Sequence, residues 1–280
     1  MMNKPQARRI PVYFFTGLFA ALWAAISLMP FYLMIITSFK SAPDYGKNGF
    51  FSFPLQFMFA NYVRVIRDGL FNYFKNSLVV VSAALFLLLL LSLCAAYPLS
   101  RFQYGLRRPM NSFIVASMAI PMHVTLIPIY LLTRAMGLYD KLPGLVIPYI
   151  AFNAPITVFI LVNFLKTIPS ELEDAAEIDG CNKMGVFKHV IVPLSGSGVV
   201  TVAIYDAITM WNEFSFALVL MQSKRMLTLP LAVWNYKGQY SASVPLLFCV
   251  LVMSVLPMII AYAIFQDKLV QGMMAGAVKG

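Results

Sequence analysis

Six long apolar runs, each bounded by polar or basic residues, dominate the chain. They lie at about 12–38, 77–99, 110–133, 142–165, 194–221 and 244–265. Each reaches the roughly 20 residues that a helix needs to cross a bilayer. In lipid a backbone polar group has no water to bond, so runs of this length must pair their own amides and are predicted to be helices. The pattern therefore predicts an all-α, polytopic membrane protein with six transmembrane helices forming one domain, 1–280.

Composition supports a membrane solvent. Of 280 residues 60% are hydrophobic and 11% charged, and the mean hydropathy is +0.78. A soluble domain carries about 25% charged residues, so this chain has too little polar surface to cover a water-exposed globule. The net charge of +10 does not indicate nucleic acid. The basic residues flank apolar runs, where they meet lipid headgroups, and no basic surface interleaved with aromatics is present.

The first run follows Lys4, Arg8 and Arg9. From Pro11 to Phe39 it is much longer than the roughly 7–15 apolar residues of a cleaved signal peptide, so a retained first helix is predicted. The basic residues before it, with Arg101, Arg107 and Arg108 in the second short loop, place both termini in the cytoplasm. Lys40, Lys47, Arg64, Arg67, Lys75, Lys224, Arg225 and Lys237 on the opposite side nearly cancel this bias. Residues 40–76 carry Phe50-Phe51 and Phe71-Asn72-Tyr73-Phe74 and suit an amphipathic stretch at the outer interface.

Catalytic chemistry finds no foothold. Cys94, Cys181 and Cys249 have no metal-ligand spacing and read as small apolar residues. His123 and His189 lack a second ligand at helical spacing. There is no phosphate loop or nucleophile elbow. No cofactor or metal is expected.

The loop at 166–193 is far more elaborate than a connection requires, and holds five acidic residues: Glu171, Glu173, Asp174, Glu177 and Asp179. Pro169 ends what precedes it. Ser170 with Glu173 reads as a capping box, and Glu171, Glu173 and Asp174 suit the positive end of a helix. Gly180 is a stop signal, a second short helix spans about Asn182–Val190, and Pro193 opens the next membrane helix. The result is two short helices about a glycine hinge. Met184, Val186, Phe187 and Val190 are candidates for docking another protein. A solvated acidic loop is the alternative on physics alone.

The run Glu-Asp-Ala-Ala-Glu-Ile-Asp-Gly, followed at the right distance by Phe187 and Val192-Pro193-Leu194, resembles the EAA loop of ABC importer permeases. The pattern falls on Asp174, Ala175, Ala176, Asp179 and Gly180, with Asp174 where glutamate is usual. Tyr97-Pro98-Leu99-Ser100-Arg101-Phe102, Pro121-Met122 through Leu126-Ile127-Pro128, and Trp211-Asn212-Glu213-Phe214 also fit. The tail Gly272–Gly280 resembles sugar permeases of the maltose-transporter G-subunit type. This resemblance implies a non-catalytic permease subunit in the bacterial inner membrane. It implies a second homologous permease, two cytoplasmic ATP-binding subunits, an extracytoplasmic solute-binding protein and a carbohydrate substrate. Asp174, Ala175, Ala176, Asp179, Gly180, Met184 and Phe187 would then couple ATPase motion to alternating access. A cytoplasmic tail, 266–280, would follow the last helix.

Asp206, Trp211, Asn212 and Glu213 fall in the fifth run. Ionisable residues at membrane depth are costly and face a cavity or partner. Asp206 lies about 18 Å from the helix start, and Glu213, seven residues on, shares its face. Planar polar groups and an aromatic ring suit a sugar, so these four are candidate substrate-path residues. Contacts with loops or a second subunit are the alternative for the last three, and a partner within the bundle for Asp206. A rival function, an ion-coupled secondary transporter, would use Asp206 and Glu213 as its carboxylate pair. Pro98, Pro121, Pro128, Pro148 and Pro257 interrupt the runs; such prolines kink membrane helices and suit a bundle that rocks between two states, although a kink by itself proves no motion.

Overall fold

A computed structural model describes residues 9–103, 105–239 and 243–277, with side chains within 15–103, 105–238, 243–264 and at 266. The elements in chain order are α1 (Arg9–Ser38), α2 (Ala42–Asn48), α3 (Ala60–Val65), α4 (Phe71–Arg101), α5 (Arg107–Ser117), α6 (Leu126–Ala135) and α7 (Pro143–Leu165). These are followed by α8 (Glu171–Ile178), α9 (Lys183–Val186), α10 (Val192–Leu194), α11 (Gly196–Trp211), α12 (Ser215–Leu220), α13 (Leu229–Gln239) and α14 (Val244–Ala277). Single π-turns at Ile66–Leu70 and Phe187–Ile191 join α3 to α4 and α9 to α10.

Among the described residues four helices are long and apolar enough to cross a membrane, and up to six spans result if each bent pair counts as one. Two predicted runs are thus not straight rods. The third is α5 and α6 bent by 92°. Pro121 lies at the break with an extended backbone, ψ 125°; its missing amide donor and the clash of its ring with the preceding turn disfavour a straight helix through it. The fifth run, 194–221, stops being helical at Trp211 and resumes as α12. Its lower end also turns by 68° against the α9–α10 segment. The sixth helix continues to Ala277, past the predicted end at 265, so the backbone of the supposed tail is helical as far as that residue. Residues 278–280 and the side chains beyond 266 lie outside the described residues.

The chain forms two compact units. One comprises residues up to Gly69 with Asn235–Val255. Here Lys40 is fully buried at the end of α1, donating to Gly49 O at 2.7 Å and Ser52 Oγ at 2.9 Å. Asp44 accepts from Asn48 Nδ2 at 2.7 Å and from the Leu55 amide at 3.1 Å. These bonds fold the segment after α1 into an ordered layer that carries exposed Phe51, Phe53, Leu55, Phe57 and Phe59. In the same unit, Cys249 Sγ donates to Ser38 O at 3.1 Å.

The other unit comprises Leu70–Trp234 with residues from Leu256 onward. Its centre is α4 packed along α7, with α11 against both and α5 against α7. Small residues permit close approach. A Cβ on Gly198 of α11 would lie 2.6 Å from the Phe164 ring of α7. One apolar core unites Ala96, Tyr97 and Leu99 of α4, Leu161 and Leu165 of α7, Val202 of α11, and Val186 and Ile191 below them.

Candidate functional site

The segment between α7 and α11 holds the residues that sequence reasoning placed at a docking loop. Gly180, with φ of +90°, ends α8, as a residue without a Cβ can do without strain. The Cys181 amide returns to Ala176 O at 2.9 Å. Asn182 then caps α9, its Oδ1 accepting from the Gly185 amide at 2.8 Å. Lys183 forms an ion pair with Glu177 across the hinge. The bonded carboxylate holds the Lys183 ammonium above its ordinary range.

The predicted capping box does not form. Ser170 has helical backbone angles and no side-chain cap bond. Glu173, its intended partner, is pulled inward: it pairs with Arg101, the last residue of α4, and accepts from Tyr97 Oη at 3.3 Å. An arginine held at the bundle surface offers Glu173 more than one neutral amide does.

This inward turn sets the faces of α8. Glu173 is buried, whereas Ile178 is 85% and Leu172 45% exposed. Met184 of α9 is 70% exposed, and Asp174, Ala175, Asp179 and Gly180 are exposed as well. Phe187 turns the other way, half-buried with its ring 5.3 Å from Tyr97, and Val186 is fully buried. Of the apolar candidates, then, Met184 belongs to the outward surface, while Phe187 and Val186 root the loop in the core. Ile178, Glu173 and Arg101 were not singled out as site residues. The spacing of Leu172, Ala175 and Ile178, three apart, was the available sign that one helical face is apolar.

The fifth-run candidates part company. Asp206 is fully buried, and Thr157 Oγ1 of α7 lies 2.8 Å from its Oδ2. Trp211 is buried, edge-on to Phe74 at 5.6 Å. Glu213 lies beyond the end of α11, so the shared face inferred from a seven-residue spacing does not exist. Its carboxylate instead caps α12, accepting from the Phe216 and Ala217 amides at 2.7 and 3.2 Å and from Tyr149 Oη at 3.0 Å. Asn212 alone of the four is exposed. His123, at the break between α5 and α6, lies 3.3 Å from Ser215 Oγ, which brings the two broken spans together. Among the described residues no three His, Cys, Asp or Glu side chains gather as a metal site.

A helical membrane bundle with a projecting pair of short helices is the architecture of an importer's membrane-spanning subunit. The chain belongs to the family of binding-protein-dependent transport system inner membrane components, whose model matches residues 88–274. It is 44% identical over 263 residues to a putative ABC transporter permease protein of Caldicellulosiruptor sp., covering 94% of this chain and 96% of that one. It is 32% identical over 272 residues to the multiple sugar-binding transport system permease protein of Streptococcus mutans, covering 95% and 97%. Among solved structures it is similar, with TM-score 0.79 and 24% identity, to a chain of a bacterial ABC transporter involved in the import of the acidic polysaccharide alginate. That match covers 95% of this chain and 99% of the other.

Proposed function

We propose that this chain is the permease subunit of an ATP-driven importer of a carbohydrate, with the α8–α9 loop as its contact with a cytoplasmic ATPase. The observation that carries this reading is the inverted surface of the loop: an acidic side chain faces the bundle while Ile178, Leu172 and Met184 face outward. A loop that met only water would do the reverse, since burying a charge costs far more than burying an aliphatic side chain. An outward apolar patch ringed by Asp174, Asp179 and Glu177 fits a protein partner.

The relatives' names support a sugar as cargo, and a similar transporter solved with a periplasmic protein supports a solute-binding partner outside; the family resemblance adds a second permease and two ATP-binding subunits that carry out hydrolysis. With the loop on the ATPase side, six crossings leave both termini in the cytoplasm. Asp174, Ala175, Asp179, Gly180 and Met184 form the contact, and Ala176 and Phe187, both half-buried against the core, fix it to the bundle. Asn212 is the exposed fifth-run candidate; its amide nitrogen donates to Ile208 O at 2.8 Å, which leaves its Oδ1 to meet substrate. Asp206 and Glu213 are bonded inside the subunit, which leaves an ion-coupled mechanism without its carboxylate pair.

The test is a pulldown of tagged protein from solubilised native membranes, with an Ala175→Glu variant in parallel. A nucleotide-binding ATPase should accompany the native chain and be lost from the variant. A native chain that comes down alone, or a variant that keeps the ATPase, would overturn the assignment.

A further inference from the structure

The loop is joined by the chain itself to α7 and α11. Its link to α4 is different in kind. Arg101, at the C-terminal end of α4, pairs through Nε with Glu173 of α8, and its second guanidinium nitrogen donates to Ile168 O, just before α8, at 2.7 Å. Tyr97, one turn earlier on α4, adds its hydroxyl to Glu173 Oε2. The two charged side chains are only 14% and 10% exposed, so they lie behind the outward face. Arg107 donates to Leu99 O at 3.0 Å and Ser100 O at 3.2 Å, which fixes the end of α4 that carries Arg101.

The two short helices are also tied to each other. The Glu177–Lys183 pair and the Cys181–Ala176 backbone bond tie α8 to α9 across Gly180. A push on this unit reaches α7 and α11 through covalent bonds. It reaches α4 through apolar contacts, such as Tyr97 on Phe187, and through the arginine fork. Apolar surfaces resist separation but permit sliding, because dispersion is non-directional. A guanidinium that donates to the Ile168 carbonyl while ion-paired with a carboxylate that itself accepts from Tyr97 is held in direction by the two flanking hydrogen bonds and resists sliding.

We propose that Arg101 and Glu173 are positioning residues that lock α4 to the loop, so that displacement of the loop moves α4, α7 and α11 as one body. Without the pair, the loop slips past α4 and nucleotide hydrolysis proceeds with little transport. This rests on the reading of the loop as the ATPase contact.

The experiment uses the complete transporter, with its ATPase, second permease and binding protein, reconstituted in proteoliposomes. Arg101→Glu, Glu173→Arg and the double charge swap are compared for substrate moved per ATP hydrolysed. Each single variant should keep its ATPase subunits yet lose about tenfold or more in that ratio, as expected for breaking a largely buried pair. The double variant should recover most of the loss. Glu173→Gln, which removes the charge at nearly constant size, should lose the ratio several-fold and serves if the reversals do not fold. Singles with a native ratio, a swap no better than its singles, or loss of the ATPase subunits from the complex would each overturn the proposal, the last by making the pair an assembly contact. Failure of the parent reading is separate: the native complex would then move no substrate on ATP before any variant is made.

Discussion

Thr157 of α7 and Asp206 of α11 meet at 2.8 Å in a fully buried position. Asp206 Oδ1 has no hydrogen-bond partner, so Thr157 is the principal polar neighbour of a carboxyl group in the apolar centre of the bundle. Thr157 Oγ1 also lies 2.8 Å from Asn153 O. Removing one member of such a pair costs more than removing the polarity of both. Thr157→Val should therefore lower stability by about 2 kcal/mol, and Thr157→Val with Asp206→Leu should be less damaged than the single valine variant. Thermal unfolding in detergent measures both. Equal or greater loss in the double variant would show that Thr157 does not satisfy Asp206.

Glu213 holds the first turn of α12 and Tyr149 together. Glu213→Ala removes a side-chain cap, worth about 1 kcal/mol, and strands the buried Tyr149 hydroxyl. The variant should unfold at lower temperature while its apparent affinity for substrate in vesicles stays unchanged. A change in affinity or specificity with native stability would return Glu213 to the substrate path.

The legible part of this protein was what hydrophobic length and helix-end chemistry control. Apolar runs located the membrane helices, Gly180 located the turn of the loop, and the start of its second helix was placed near Asn182, because those constraints are local. Pro121 was visible as an interruption, but nothing local set it apart from Pro98, Pro148 and Pro257, which stay inside α4, α7 and α14; the break after Trp211 was less legible, since a hydrophobic run stays continuous whether or not its helix does. Glu173 was misread for a related reason. Its spacing from Ser170 satisfied a local rule, but Arg101, distant in sequence, offered a stronger partner. Asp206 and Glu213 show the same limit: the cost of intramembrane carboxylates was clear, but their partners on α7 were set by the packing of α7 on α11.

Asp44 makes the layer after α1 acid-sensitive. Its bond from Asn48, then that from the Leu55 amide, hold the carboxyl below its ordinary value of 3.8, against the opposing effect of burial. A lowered folded-state value means that the contribution to stability is complete above the unfolded value and is lost as pH falls through the folded one. The Leu55 amide, corrected for intrinsic exchange, should thus remain protected at neutral pH and open to deuterium only below about pH 3.8. Asp44→Asn should abolish this acid step. An amide whose protection varies identically with pH in both proteins would show that Asp44 does not hold the segment.

Gly198 and Phe164 test how tightly the roots of the loop are fixed. Gly198 is in the first turn of α11 and Phe164 in the last turn of α7. A Cβ at 198 would meet three atoms of the Phe164 ring at 2.6 to 3.0 Å, closer than van der Waals contact allows. Gly198→Ala gains helix propensity of roughly 1 kcal/mol, so a yielding interface would make the variant more stable. Interiors packed at crystal density do not yield cheaply, and overpacking costs about 1–3 kcal/mol. The variant should therefore be no more stable than the native protein. Phe164→Leu, which removes the ring, should let the alanine at 198 express its helical gain, so the two substitutions together should be more stable than Phe164→Leu alone. Thermal unfolding of the four proteins closes the cycle. A stabilising Gly198→Ala in the native background would mean that α7 and α11 separate easily at the base of the loop, and motion there would be absorbed before it reached the bundle.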